Sequence, residues 1–127
     1  MLTIKTKLDK SSIAGIGLFA DQDVLKSEIV WRMNSLSVLR ITPDEYNKLL
    51  KIEQDFINDK DYYWTDKDNN YMIPIDDSRF MNHSSDPNVI DFDDNICVAT
   101  RDIKKNEELT IDYKTLVSEN EWKNYYN

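Results

Sequence analysis

The chain of 127 residues carries 24 acidic and 16 basic side chains, which gives a formal net charge of −8, and 40% of its residues are apolar. This length fits one domain with a single hydrophobic core, and the apolar content excludes a disordered chain. The acidic balance argues against a general nucleic-acid binder, because neutralising phosphates needs a basic surface; it favours basic partners, or it only keeps the domain soluble.

The first 41 residues are predicted to form short strands separated by turns. Residues 2–7 alternate apolar and polar side chains, which is the period of a half-buried strand. A turn with glycines at 14–17 is followed by predicted strands at 18–20, 28–31 and 38–41.

One long helix is predicted to begin at Thr42. Thr42 can cap the helix, Pro43 suits its first position, and Glu45 completes a capping box. The helix belongs to a central insert at 42–70. Its predicted apolar face consists of Tyr46, Leu49, Leu50, Phe56 and Ile57.

The second half of the chain again contains short strands and polar turns. Turns are predicted at 66–70, 93–95 and 104–107, and strands at 71–75, 96–100 and 108–113. A second capping box at 118–121 opens a short C-terminal helix that carries Trp122, Tyr125 and Tyr126. This order lacks the strand-helix alternation of a doubly wound sheet, so the predicted fold class is mainly β with short helices.

The only two glycines, Gly15 and Gly17, flank Ile16. They lie between predicted strands and do not open a helix, which disfavours a Rossmann nucleotide site. Two readings remain open: the glycines supply positive φ in a turn, or they allow a ligand to approach the backbone closely.

The only histidine, His83, lies in the segment RFMNHSSDPN at 79–88. Taken alone, a single histidine is more often a structural residue than a catalyst. By the same reasoning, the polar residues around it are turn residues that bond their own backbone, namely Asn82, Ser84, Asp86 and Asn88.

Three segments, GIGLFA (15–20), RFMNHSSDPN (79–88) and EELTIDY (107–113), together resemble the SET-domain family of protein-lysine methyltransferases. The chain looks most like the compact SET proteins of bacteria and large viruses. The resemblance implies a SET-domain fold of small curved β-sheets around a C-terminal pseudoknot. It also implies that 1–127 form a single SET domain, which 114–127 close.

The resemblance further implies a site for S-adenosylmethionine, which leaves as S-adenosylhomocysteine. Residues Gly15, Ile16 and Gly17 would hold this methyl donor through their backbone. Asn82 would contact its amino-acid end, and the backbone of His83 its adenine.

Two further residues are predicted to contact the donor. Arg79 either helps to position the donor or pairs with an acid. Trp122 is the first choice among the aromatic residues of the tail for a ligand contact, and docking of the tail on the core is an equal alternative.

Tyr113 matches the catalytic tyrosine of the family, which stands at the methyl-transfer pore. Tyr63 is predicted as a second pore tyrosine, with the adjacent Tyr62 as an alternative; packing in the core is the competing reading for these tyrosines. A lysine amine, with a pKa of about 10.4, must lose its proton before it can attack. An aromatic channel and the neighbouring sulfonium charge favour that loss, so no carboxylate base is required.

One departure from the family pattern concerns zinc. Many members carry a cysteine after the N-H-S string, where this chain has Ser85, and Cys97 is the only cysteine. A multi-cysteine zinc site and an internal disulfide are therefore excluded, and no metal is expected. No signal peptide or membrane span is apparent, so a cytoplasmic or otherwise intracellular location is predicted, a nuclear or host-cell one included.

The resemblance thus predicts a protein-lysine N-methyltransferase. Its partner would be a basic, lysine-bearing protein or peptide, histone-like ones included, with no direct role for nucleic acid or a membrane. Some compact relatives pair to complete their site, which makes a homodimer an option. The alternatives are a SET-fold module that binds lysine-bearing peptides without catalysis, and an acidic interaction protein without a cofactor.

Overall fold

A computed structural model describes residues 1–58, 63–93 and 95–116. The helices of this part are α1 (Pro43–Asn47), α2 (Lys51–Asn58) and two 3-10 helices at Asp77–Phe80 and Tyr113–Thr115. The strands are β1 (Thr6–Lys10), β2 (Ile16–Ala20), β3 (Ile29–Arg32), β4 (Val38–Ile41), β5 (Trp64–Thr65), β6 (Tyr71–Pro74), β7 (Asn82–His83), β8 (Val89–Asp93), β9 (Ile96–Ala99) and β10 (Thr110–Ile111).

The strands form four small sheets. β1 and β2 form an antiparallel pair, β9 lies between β3 and β8, and β6 lies between β4 and β5. β7 and β10 pair in parallel. This arrangement confirms the predicted fold class, mainly β with small sheets and short helices.

The core is built mainly from strand residues that point inward, together with Val24, Met81, Ile103 and Leu109 from the segments between strands. In β2, Leu18 and Ala20 are fully buried at the two-residue spacing of one strand face. Burial of a side chain such as Leu18 contributes roughly 1.5–3 kcal/mol. The other members of this core cluster are Val24, Val30, Trp31, Met81, Val89, Cys97, Ala99, Ile103, Leu109 and Ile111.

The predicted long helix is wrong in length, because the chain forms two helices. The capping box at its start is present: Glu45 N–H donates to Oγ1 of Thr42 at 3.2 Å, and Thr42 N–H donates to Oε2 of Glu45 at 2.8 Å. A second contact of this kind, from Leu50 N–H to Oε2 of Glu53 at 2.7 Å, starts α2 separately.

The break also changes which apolar residues are buried. Ile57 is buried, whereas Leu50 and Phe56 are 68% and 63% exposed, so the predicted apolar face is wrong for these two. The 3.6-residue spacing places residues on one face only within a continuous helix, so a face predicted across the break between α1 and α2 does not hold.

The predicted strand at 2–7 is displaced, because the chain changes its pairing partner there. Leu2 bridges Trp31, and Thr3 N–H donates to the carbonyl oxygen of Val30 at 2.9 Å. The strand that pairs with β2 begins only at Thr6.

The predicted strand at 108–113 shortens to the two residues of β10. Glu108 bridges Phe19 in β2, and Leu109 N–H donates to the carbonyl oxygen of Leu18 at 2.7 Å before the chain crosses to β7. Asp112 then caps a 3-10 helix by accepting from Lys114 N–H at 3.0 Å.

Five elements were not predicted. They are β5, β7, β8 and the two 3-10 helices at Asp77–Phe80 and Tyr113–Thr115. β8 has the sequence VIDFD, whose aspartates are uncommon in strands. The predicted capping box at 118–121 and the helix after it lie outside the described residues.

Candidate functional site

The three motif segments meet at the carboxylate of Glu108. The amide nitrogen of Asn82 donates to Oε2 of Glu108 at 3.0 Å, and the Ser11 hydroxyl donates to its two oxygens at 2.7 and 2.9 Å. Asn82 also donates to the carbonyl oxygen of Ala14, at 3.0 Å, directly before the glycine loop. We call Ser11, Gly17, Asn82 and Glu108 the Glu108 junction.

The two glycines of the loop have different roles. A Cβ on Gly17 would lie 2.7 Å from Oε2 of Glu108 and 3.1 Å from the Cβ of Ser11, so a larger residue there would require the Glu108 carboxylate to shift. Gly15 has a φ of +49°, and a Cβ there would meet no described atom within 4 Å. Gly15 therefore serves the turn conformation, and no residue in the described part of the chain covers its outer side. Ile16 between them is 55% exposed.

Parallel pairing brings the end of EELTIDY beside the N-H-S string. Asn82 lies opposite Thr110, and His83 lies opposite Ile111. Ser84 N–H extends the pairing by donating to the carbonyl oxygen of Ile111 at 3.1 Å. Tyr113 therefore follows two residues after the partner of His83.

The imidazole of His83 contacts the backbone of Tyr113. The N–H of Tyr113 donates to Nδ1 of His83 at 3.1 Å, and the two ring centres are 5.3 Å apart. Oδ1 of Asp112 is 3.6 Å from the same nitrogen, which is too long for a well-formed hydrogen bond. In this arrangement Nδ1 of His83 is the hydrogen-bond acceptor.

The hydroxyl of Tyr113 donates to the carbonyl oxygen of Met81 at 2.7 Å. Since its hydrogen is used there, any further hydrogen bond of this oxygen must be one that it accepts. Tyr113 lines a cleft of about 730 Å³, whose wall also includes Trp31, Tyr63 and Arg79.

Tyr63 is only 4% exposed, and its ring centre lies 5.2 Å from that of Tyr71. The structure thus brings the two tyrosines predicted for the pore, Tyr63 and Tyr113, into the wall of one cleft. Tyr62, the alternative, lies outside the described residues.

Arg79 lies in the wall of this cleft and not at the Glu108 junction. Its Nε is buried without a hydrogen-bond partner, and its guanidinium carbon lies 5.0 Å from the centre of the Phe80 ring. Within residues 1–58, 63–93 and 95–116, no carboxylate pairs with it. The indole nitrogen of Trp31, in the same wall, is likewise buried without a partner.

Carboxylates border the cleft. Asp66 accepts hydrogen bonds from Asn70, which hold the pKa of the Asp66 carboxyl below its ordinary value. Asp91 accepts from the Cys97 thiol at 3.1 Å, and burial raises the pKa of that thiol, so Cys97 stays protonated at neutral pH. Asp93 also lines the wall. A cleft with such a border suits a cationic ligand.

Several residues of the site were not identified by the sequence prediction. Asn88, interpreted as a turn residue bonding its own backbone, is buried and instead bridges to β10: it donates to the carbonyl oxygen of Glu108 at 2.8 Å and accepts from Thr110 N–H at 2.8 Å. Glu108 lies inside the motif EELTIDY, so its position in the sequence could have identified it as a site residue. Ser11 stood outside every motif, and its partner is 97 residues away. The predicted ligand contact Trp122 lies outside the described residues.

Two general findings concern the described part of the chain. No three His, Cys, Asp or Glu side chains gather there as a set of metal ligands. No helix there has the length and apolar character needed to cross a membrane.

Comparison with known proteins adds four findings. The family model described as "SET domain" matches residues 15–114. A Plasmodium falciparum protein described as a histone methyltransferase has a similar structure, with a TM-score of 0.64 and 23% identity over 88% of this chain and 95% of that one. The Neurospora SET domain protein DIM-5, a histone lysine methyltransferase, gives a TM-score of 0.63 and 21% identity over 93% of this chain and 55% of DIM-5. No curated protein sequence matches the chain.

Proposed function

Because the chain belongs to the SET domain family, we propose that it is a protein-lysine N-methyltransferase that uses S-adenosylmethionine. The observation that carries this proposal is the placement of Tyr113. His83 holds its backbone, Met81 holds its hydroxyl, and its side chain lines the cleft. The two solved structures described as histone methyltransferases share the fold.

The Glu108 junction suits a donor that carries an ammonium group. The amide nitrogen of Asn82 is already shared among Glu108, Ser11 and the carbonyl oxygen of Ala14. Within the described residues no donor reaches Oδ1 of Asn82, so this oxygen can accept a hydrogen bond from an ammonium.

The glycine loop offers room beside this acceptor, since none of the described residues fills the space outside Gly15. We therefore assign the donor to the backbone of Gly15, Ile16 and Gly17 and to Asn82 and His83. Arg79 and Trp122 are proposed as further contacts. The bound sulfonium supplies an electrophilic methyl group.

Tyr113 would position the substrate amine by accepting one of its N–H hydrogens. This orientation points the lone pair of the nitrogen at the methyl group, which is the main gain in an in-line displacement. Tyr63 forms a second aromatic wall. An aromatic wall disfavours the ammonium form by desolvation, so the amine loses its proton to solvent without a dedicated base.

The proposed substrate is a basic peptide that bears the target lysine. Asp66, Asp91 and Asp93 border the cleft, and the chain has a net charge of −8. The central insert contributes through Thr65 and Asp66, which lie in the cleft wall. Peptide affinity should fall as the salt concentration rises, because salt screens exposed charges.

The test is transfer of a labelled methyl group to a pool of basic proteins. Wild type is compared with Tyr113→Phe and with Tyr46→Phe, a matched control whose ring stacks on Tyr71 at 4.2 Å. We expect label on lysine in wild type and in Tyr46→Phe, and a rate of labelling about ten- to a hundredfold lower in Tyr113→Phe.

Two results would favour the alternatives. Donor binding by wild type without any transfer would favour a peptide-binding module. A melting temperature that saturating donor leaves unchanged would favour an interaction protein without a cofactor, since a ligand that binds the native state raises it.

A further inference from the structure

Lys67 is the one lysine in the described wall of the cleft that contains Tyr63 and Tyr113. It follows Tyr63 by four residues, through the short strand β5. Four residues span at most about 14 Å even when fully extended, which limits the distance between the backbones of Lys67 and Tyr63, and both residues line the same cleft.

The amine of Lys67 has no ion pair in the described part of the chain, although two aspartates flank it. Both carboxylates form ion pairs with Arg40, whose guanidinium lies 3.4 Å from Asp66 and 3.9 Å from Asp68. Asn70 donates to Asp66 at 2.9 Å as well. The neighbouring acids therefore do not hold Lys67 away from the cleft.

The turn that carries Lys67 is fixed by its own hydrogen bonds. Asp66 N–H donates to the carbonyl oxygen of Asn70 at 3.1 Å, and Asn69 N–H donates to that of Asp66 at 3.0 Å. A lysine held beside a reactive centre has a high effective concentration at that centre. A separate substrate molecule reaches a comparable concentration there only by binding.

On the basis of the proposed function, we propose that Lys67 is a methyl acceptor within its own chain. The ammonium of Lys67 first loses a proton to solvent. Its nitrogen then attacks the methyl carbon of the bound sulfonium donor: the new N–C bond forms, the C–S bond breaks, and its electron pair stays on sulfur. The products are a methylammonium at Lys67 and a neutral thioether.

The experiment incubates the purified chain with S-adenosylmethionine and no other protein, and maps the modified lysines by mass spectrometry. Lys67→Arg keeps the charge and removes the acceptor. Lys104→Arg is the matched control, because Lys104 is also exposed but lies outside the cleft wall. We expect methyl groups at Lys67 in wild type and in Lys104→Arg, none at position 67 in Lys67→Arg, and a rate about ten- to a hundredfold lower in Tyr113→Phe.

A dilution series and a donor-free measurement complete the test. The modified fraction at a given time should not change with protein concentration; a rate that rises in proportion to concentration would overturn acceptance within one chain. Nuclear Overhauser contacts between the Lys67 side chain and the ring of Tyr63 or Tyr113 are expected without donor, and their absence would place the amine outside the cleft.

The outcomes separate this proposal from the function on which it rests. Methylation of a pool of basic proteins with Lys67 unmodified would overturn the proposal and leave the function intact. Equal methylation of Lys67 and Lys104 would also overturn it. No transfer to Lys67 or to the pool would overturn both.

Discussion

The imidazole of His83 accepts a hydrogen bond from the backbone N–H of Tyr113 at 3.1 Å, across the parallel pair formed by β7 and β10. The only histidine of the chain thus fixes the start of the 3-10 helix that carries Tyr113. In this contact the side chain acts as a hydrogen-bond acceptor.

Replacing His83 tests this positioning role. His83→Asn keeps an acceptor oxygen near the place of Nδ1, whereas His83→Leu leaves the Tyr113 N–H without one. We expect turnover to fall about tenfold in His83→Leu, since a lost hydrogen bond costs about 1–1.5 kcal/mol, and to fall less in His83→Asn. Steady-state kinetics give turnover, and calorimetry gives donor affinity, which should change little because the predicted donor contact of His83 is its backbone. Equal turnover in both variants would contradict this role.

The close contact between Gly17 and Glu108 predicts a coupled pair. Gly17→Ala forces the carboxylate of Glu108 away and so breaks its bonds to Ser11 and Asn82, whereas Gly15→Ala meets only the conformational cost of positive φ, about 1–2 kcal/mol. Glu108→Ala should make Gly17→Ala less harmful, and a double-mutant cycle of unfolding free energies should show that coupling. If the changes in unfolding free energy of Gly17→Ala and Glu108→Ala were strictly additive, the contact between these two residues would not explain why position 17 is glycine.

Asn88 should be a strong contributor to stability. Its side chain satisfies the carbonyl of Glu108 and the N–H of Thr110 in a buried position. Asn88→Ala leaves both groups without this partner, at a cost of about 1–3 kcal/mol for each. Urea unfolding measures the change; a loss below about 0.5 kcal/mol would show that these groups find other partners.

The stability contribution of Asp66 should depend on pH. The hydrogen bond from the Asn70 side chain, the largest cause, lowers the pKa of Asp66 from 3.8. A lowered pKa in the folded state stabilises the fold above pH 3.8, and this contribution is lost as the pH falls through the folded value. Asp66→Asn should therefore lower the melting temperature at pH 7, and the gap to wild type should shrink below about pH 4. Asp68→Asn, in the same turn, is the control, and a gap for Asp66→Asn that does not change with pH would contradict the assignment.

The motifs predicted the fold class. They also predicted that the glycine loop and Asn82 lie close together, because residues of different motifs contact one another in the folded chain. Residue patterns could not predict the partner changes at Thr3 and Leu109, since the chain leaves one strand for another without a break in its apolar pattern. Ser11 was missed for the same physical reason: its hydrogen bond joins residues that only the fold brings together.

A single round of methyl transfer in the chain saturated with S-adenosylmethionine and a basic lysine peptide tests the proposed lysine methyltransferase function most directly. This function predicts methyllysine in wild type and a rate about ten- to a hundredfold lower in Tyr113→Phe at equal donor affinity, since a hydrogen bond to a charged or reacting group is worth about 1.5–3 kcal/mol. Donor bound by wild type with no methyllysine formed, or equal rates in the two proteins, would contradict it.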